Sequence, residues 1–151
     1  MTQLRPRAVA ILYNSQNQVL LMLRRKNGKV YATLPGGGIE EGETPAEACK
    51  REVLEEVNLV VEVGPQVAEW DNLNNHEHYF LTRRVSGEMR LGDGPEGIRQ
   101  SAENHYEPAW IDLARLEAVN LVPEQARGLV RELAPTALPL QGGDVPQGQR
   151  G

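Results

Sequence analysis

Residues 37–59 read GGIEEGETPAEACKREVLEEVNL. Glu52, Glu55 and Glu56 stand at i, i+3 and i+4. At about 100° per residue, this spacing places three carboxylates on one helical face. Like charges so placed repel by a few tenths of a kcal/mol per pair. A divalent cation removes that penalty, and clustered carboxylates suit Mg²⁺ or Mn²⁺. Just upstream lies a glycine run, Pro35-Gly36-Gly37-Gly38, which reads as a turn whose backbone N–H groups can approach phosphate closely. A Glu-rich helical face by itself is usually only solvated. Its coincidence with the glycine run argues for a site.

The ends of the helix are marked. Thr44 is a good N-cap, Pro45 falls at the first helical position, and Glu47 completes a capping box three residues after Thr44. Ala46, Cys49, Val53 and Val57 recur at helical steps and form the predicted buried stripe. Cys49 on that stripe is expected to be core filler. Arg51 is four residues from both Glu47 and Glu55 and is expected to pair with one of them. Asn58 follows Val57 where a left-handed residue ends a helix, a conformation Asn tolerates.

The pattern is Gly37, five residues, Glu43, seven residues, Arg51-Glu52, an aliphatic, one residue, Glu55-Glu56, one residue, then Asn58-Leu59. It resembles the Nudix box and departs from it only in having Asn58 where the box has its last glycine. The resemblance implies an α/β fold, a Nudix-type α/β/α sandwich with a mixed sheet. It also implies hydrolysis of a nucleoside diphosphate linked to another moiety: a nucleoside triphosphate, ADP-ribose or a nucleotide sugar. A catalytically silent, nucleotide-sensing domain is the alternative. By the same resemblance Glu52 and Glu56 are the first-choice ligands for Mg²⁺ or Mn²⁺. Glu55 supports them, the Gly36 carbonyl adds an oxygen, and Glu43 orients the turn or reaches the metal through water. Arg51 holds the glutamates, and a homodimer is plausible. A general base from a loop outside the box is expected, with Glu103 first and Glu96 second. Should neither serve, Glu52 becomes the candidate. Gly37, Gly38, Arg24 and Arg25 are candidates for contacting substrate.

The rest of the chain reads as strands around that helix. Arg7–Tyr13 and Val19–Arg25 are apolar runs separated by Asn14-Ser15-Gln16-Asn17, a hairpin signal. Val30–Leu34, Val60–Val63, Gln66–Trp70, His76–Val85, Glu88–Leu91 and Ala109–Asp112 are further strand candidates, with Gly64-Pro65 marking a break. On His76–Val85, Tyr79, Leu81 and Val85 are expected on one face. Gly92–Pro95 reads as a loop, Leu113–Leu116 as a helical turn and Pro123–Leu133 as a helix. Tyr79, Tyr106 and Trp110 read first as core aromatics and second as platforms for a base. His76, His78 and His105 make no zinc spacing, and His76 and His78 are expected on alternate faces of their strand.

One domain over residues 1–134 accounts for this order, and the Pro-, Gly- and Gln-rich residues 135–151 read as a disordered tail. The whole chain of 151 residues is long enough for a single core, and 40% hydrophobic with 25% charged residues is ordinary for a globular protein. A net charge of −5 with no basic block makes a nucleic-acid polymer a poor partner. No apolar run is long enough to span a membrane, and no signal segment is visible. A single cysteine excludes an internal disulfide, so a reducing cytoplasm is the expected location.

Overall fold

The computed structural model describes residues 3–90 and 104–135. Among the described residues, seven strands and two α-helices follow the order β1 (Arg5–Ile11), β2 (Val19–Lys26), β3 (Lys29–Thr33), β4 (Gly36–Gly38), α1 (Pro45–Val57), β5 (Val60–Asn72), β6 (Asn75–Ser86), β7 (Asn104–Ile111) and α2 (Gln125–Leu133). A 3₁₀ turn, Leu113–Arg115, lies between β7 and α2. A four-stranded mixed sheet has the order β4-β1-β6-β5, in which β1 and β6 are parallel and the other pairs antiparallel. A three-stranded antiparallel sheet has the order β3-β2-β7.

Strands β1 and β2 are apolar on both faces because both faces are covered. Ala8, Ala10, Leu20 and Met22 turn toward α1 and meet Ala48, Cys49, Val53 and Val57. Val9, Ile11, Val19 and Leu21 turn the other way and meet Leu116, Leu121 and the α2 residues Ala126 and Val130. The expected helices on both faces are therefore present. α2 is fastened by Arg131, which donates to both oxygens of Glu117 at 2.6 and 2.7 Å. The Tyr13 hydroxyl donates to the Val130 carbonyl at 2.5 Å. Cys49 is fully buried, and burial pushes its thiol up to about 12, so it is the inert filler its position implies.

Several expectations are corrected. The Asn14–Asn17 turn forms, with Asn14 Oδ1 accepting from the Gln16 and Gln18 N–H groups. Its two strands, however, part into different sheets beyond the Tyr13–Val19 bridge. The glycine run is an edge strand, β4, because it pairs with Arg7–Val9 of β1. The two segments around Gly64-Pro65 are one strand, whose irregularities between Val63 and Ala68 absorb the break as bulges. Residues 88–90 are not a strand, and Leu91 lies outside the described residues. On β6, Tyr79 is buried but Val85 is exposed, because the strand outruns its sheet partner β1. The loop at 92–95 and the tail from 136 onward also lie outside the described residues. Among the described residues, no helix is long and apolar enough to cross a membrane.

Candidate active site

Helix α1 is closed at both ends by its own sequence. Thr44 Oγ1 accepts from the Glu47 N–H at 3.1 Å, and Glu47 Oε1 accepts from the Thr44 N–H at 2.9 Å. Asn58 adopts φ 64°, ψ 33°, and its N–H donates to the Leu54 carbonyl. Its Nδ2 also donates to the Glu88 carbonyl, while the Arg90 N–H donates to the Val57 carbonyl, each at 3.0 Å. The segment after β6 is thereby tied to the end of α1.

Glu52, Glu55 and Glu56 share a side of α1 but meet different surroundings. Glu56 belongs to the buried set with Val53 and Val57, with 5% of its surface exposed. Its Oε1 accepts from the Gly36 N–H at 3.0 Å, and its Oε2 pairs with Arg24 Nη2 at 3.3 Å. Glu56 thus joins α1 to β4 and β2. Glu52 is half-buried and lies directly against Gly37, where a Cβ would overlap its carboxylate. This close approach is the reason for a glycine there. None of Gly36, Gly37 and Gly38 has a positive φ. Loss of solvent raises the Glu52 pKa, and Arg51 opposes that shift. Glu55 is the outermost of the three.

Arg51 organises the edge of this cluster. Its Nε and Nη2 clamp both oxygens of Glu43 at 2.6 and 2.9 Å, and Nη2 also donates to the Gly38 carbonyl at 2.9 Å. Nη1 reaches Glu52 at 2.9 Å and Glu55 at 3.2 Å. The expected pairing with Glu55 is present; Glu47 instead spends its carboxylate on the cap. Hydrogen bonds from Arg51, reinforced by the Glu40 N–H, hold Glu43 down to about 2. The Arg51 guanidinium is stabilised in return.

Arg24 and Arg25 separate, as neighbours on a strand must. Arg24 turns toward Glu56, donates from Nε to Thr33 Oγ1 at 2.8 Å, and places its guanidinium 4.7 Å from the centre of the Tyr106 ring. Arg25 is exposed on the opposite face of β2. Glu96 and Glu103 lie outside the described residues. Tyr79 is core: it packs against Trp70 at 4.6 Å and donates to Glu77 Oε1 at 2.7 Å. Tyr106 and Trp110 pack against the α1 side of the core.

Sequence reasoning missed three contacts: the Glu43–Arg51 clamp, the Arg24–Glu56 pair and the cradle between Gly37 and Glu52. All three join segments that are apart in the chain. A fourth miss had a signal. His76 and His78 share a face of β6, with rings 5.1 Å apart, as the two-residue period of a strand requires.

The sequence profile of the NUDIX domain matches residues 3–133. The chain is 25% identical to an RNA pyrophosphohydrolase of Aeromonas hydrophila, covering 90% of this chain and 87% of that protein. It is 30% identical to a putative 8-oxo-dGTP diphosphatase of Bacillus subtilis, covering 80% of this chain and 74% of that protein. The fold is similar to that of an ADP-ribose pyrophosphatase from Streptococcus suis, with a TM-score of 0.61 at 20% identity, over 85% of this chain and 90% of that one. A profile that runs through β1, the Glu52–Glu56 helix and α2 leaves one assignment, and the chain belongs to the Nudix hydrolase family.

Proposed function

We propose that this protein uses Mg²⁺ or Mn²⁺ to hydrolyse the phosphoric anhydride bond of a nucleoside diphosphate linked to another moiety. The observation that carries this reading is the charge imbalance at α1. Glu43, Glu52 and Glu55 all pair with the one guanidinium of Arg51. A divalent cation balances the excess, and the all-oxygen donor set suits a hard one. The residues that would hold it are Glu52, Glu55 and Glu56 with the Gly36 carbonyl. Such a cation neutralises phosphate charge and lowers the pKa of a bound water.

The chain's own residues supply the rest. Gly37 lets Glu52 lie against β4, and Gly38, with open space beside its Cα, leaves the backbone approachable by phosphate. We place Glu43 with Arg51 as a positioning pair rather than as a ligand, because both of its oxygens already accept from Arg51. Arg24, whose Nη2 lies 3.3 Å from Glu56, is the residue we place against a substrate phosphate. Arg25 faces away and is left out. Glu103 directly precedes β7, whose Tyr106 lies under Arg24, and remains the first choice of general base, ahead of Glu96 and then Glu52.

The test is a substrate panel with Mg²⁺ and with Mn²⁺, read as phosphate or pyrophosphate release. It includes ordinary and oxidised nucleoside triphosphates, ADP-ribose, nucleotide sugars and a 5′-triphosphorylated RNA oligonucleotide. The small nucleotides are expected to turn over, and the net charge of −5 disfavours the RNA. Full activity in excess chelator, with metal content verified as negligible, would sink the mechanism. Binding without turnover of any compound would leave the sensor reading in its place.

A further inference from the structure

The β5–β6 hairpin assembles a second constellation that the proposed hydrolysis does not use. In the register of these strands Glu69 is paired with His78, and Asp71 with His76. The i, i+2 spacing on each strand puts all four side chains on one face. His76 Nε2 lies 2.6 Å from Glu69 Oε2, and His76 Nδ1 lies 2.6 Å from Asp71 Oδ1. His78 Nδ1 is 3.8 Å from Glu69 Oε1. One ligand atom each from Glu69, His76 and His78 fall within 4.8 Å of one another, and no other triad among the described residues does so.

The donor chemistry differs from that at α1. Two imidazole nitrogens with one carboxylate select a borderline ion over a hard one. Three ligand atoms within 4.8 Å of one another can converge on one ion at ligand distances of about 2.0–2.2 Å once the side chains rotate. Asp71 adds the outer support that metal-binding histidines usually have: by accepting from Nδ1–H it directs His76 Nε2 at the ion. The side chains of His76 and Glu69 are 35% and 46% exposed, so ions can enter and water can complete the coordination.

We propose that the hairpin carries a transition-metal site of the zinc class, with Glu69, His76 and His78 as ligands and Asp71 behind His76. The ion would staple β5 to β6 near the turn and take no part in the hydrolysis at α1. The competing reading is a surface ion-pair network in which His76 shares its protons with two carboxylates.

Zinc competition with a chromogenic chelator on the metal-stripped full chain separates the two. The wild type should bind one equivalent that the His76→Gln/His78→Gln double variant and the Glu69→Gln variant bind more than about a hundredfold weaker. Asp71→Asn should cost about 10–100-fold, the usual effect of losing outer support. The ring resonances of His76 and His78 should shift together on adding one equivalent of zinc. Wild-type affinity in both the double variant and Glu69→Gln, or unmoved ring resonances, overturns the site and leaves the ion-pair network. Mg²⁺-dependent hydrolysis should survive all of these variants, so failure here leaves the reading of α1 untouched.

Discussion

Helix α1 and the β5–β6 hairpin each gather carboxylates and bases into a small cluster, but they are built on opposite terms. Every local feature of α1 agrees with the helix: the Thr44–Glu47 box, Pro45 at its first turn and left-handed Asn58 at its end. The hairpin contradicts its local preferences. Leu73 at its tip has φ 56°, a conformation costly for a leucine, and β5 is irregular in two places between Val63 and Ala68. The extended pairing between β5 and β6 nonetheless holds it. Agreement between local and tertiary preferences lets α1 be read residue by residue. Where tertiary pairing overrides them, the chain shows only scattered His, Glu and Asp.

The sharpest way to separate chemistry from architecture is at Gly37 and Glu52. Glu52→Gln should lower kcat by about 10²–10⁴ at saturating metal, with the fold retained. Gly37→Ala should lose turnover too, because its Cβ displaces the Glu52 carboxylate, whereas Gly38→Ala has open space and should stay near the parent. Equal activity of the two alanine variants would remove the cradle from the account.

The Arg51 clamp tests the same helix through pH. The folded-state pKa of Glu43 is depressed from 4.5 to about 2. A depressed carboxylate contributes stability that is full above 4.5 and is lost as pH falls through about 2. Melting temperature measured across that window should fall more steeply for the wild type than for Arg51→Met, which has already lost the clamp. Parallel curves would show that the guanidinium does not hold Glu43 in solution.

The smallest effects come from exchanging left-handed residues between well-matched and ill-matched sites. Asn58→Val should destabilise by about 1–2 kcal/mol, the cost of a left-handed conformation for a residue with a bulky Cβ. Asn58→Gly should be close to neutral, since relief of backbone strain is set against loss of the bond from Nδ2 to Glu88. Leu73 is 88% exposed, so Leu73→Gly loses little packing and should stabilise by under about 1 kcal/mol. A glycine variant at 73 that melts below its parent would mean that the hairpin tip relaxes in solution.

The amino-acid sequence alone determined α1, both of its caps, the spacing of Glu52, Glu55 and Glu56, and most strand positions. Helical hydrogen bonds, caps and apolar periodicity all act within a few residues, so their signals are present in the chain itself. Only the tertiary structure decided that Glu56 is the buried carboxylate, that Arg51 clamps Glu43, and that Arg24 faces the site while Arg25 does not. It also made the glycine run a strand and, through the irregularities of β5, set Glu69 opposite His78. Burial and cross-strand register depend on which distant segments meet. A one-residue slip in a strand turns every side chain to the other face, so no local pattern specifies those contacts.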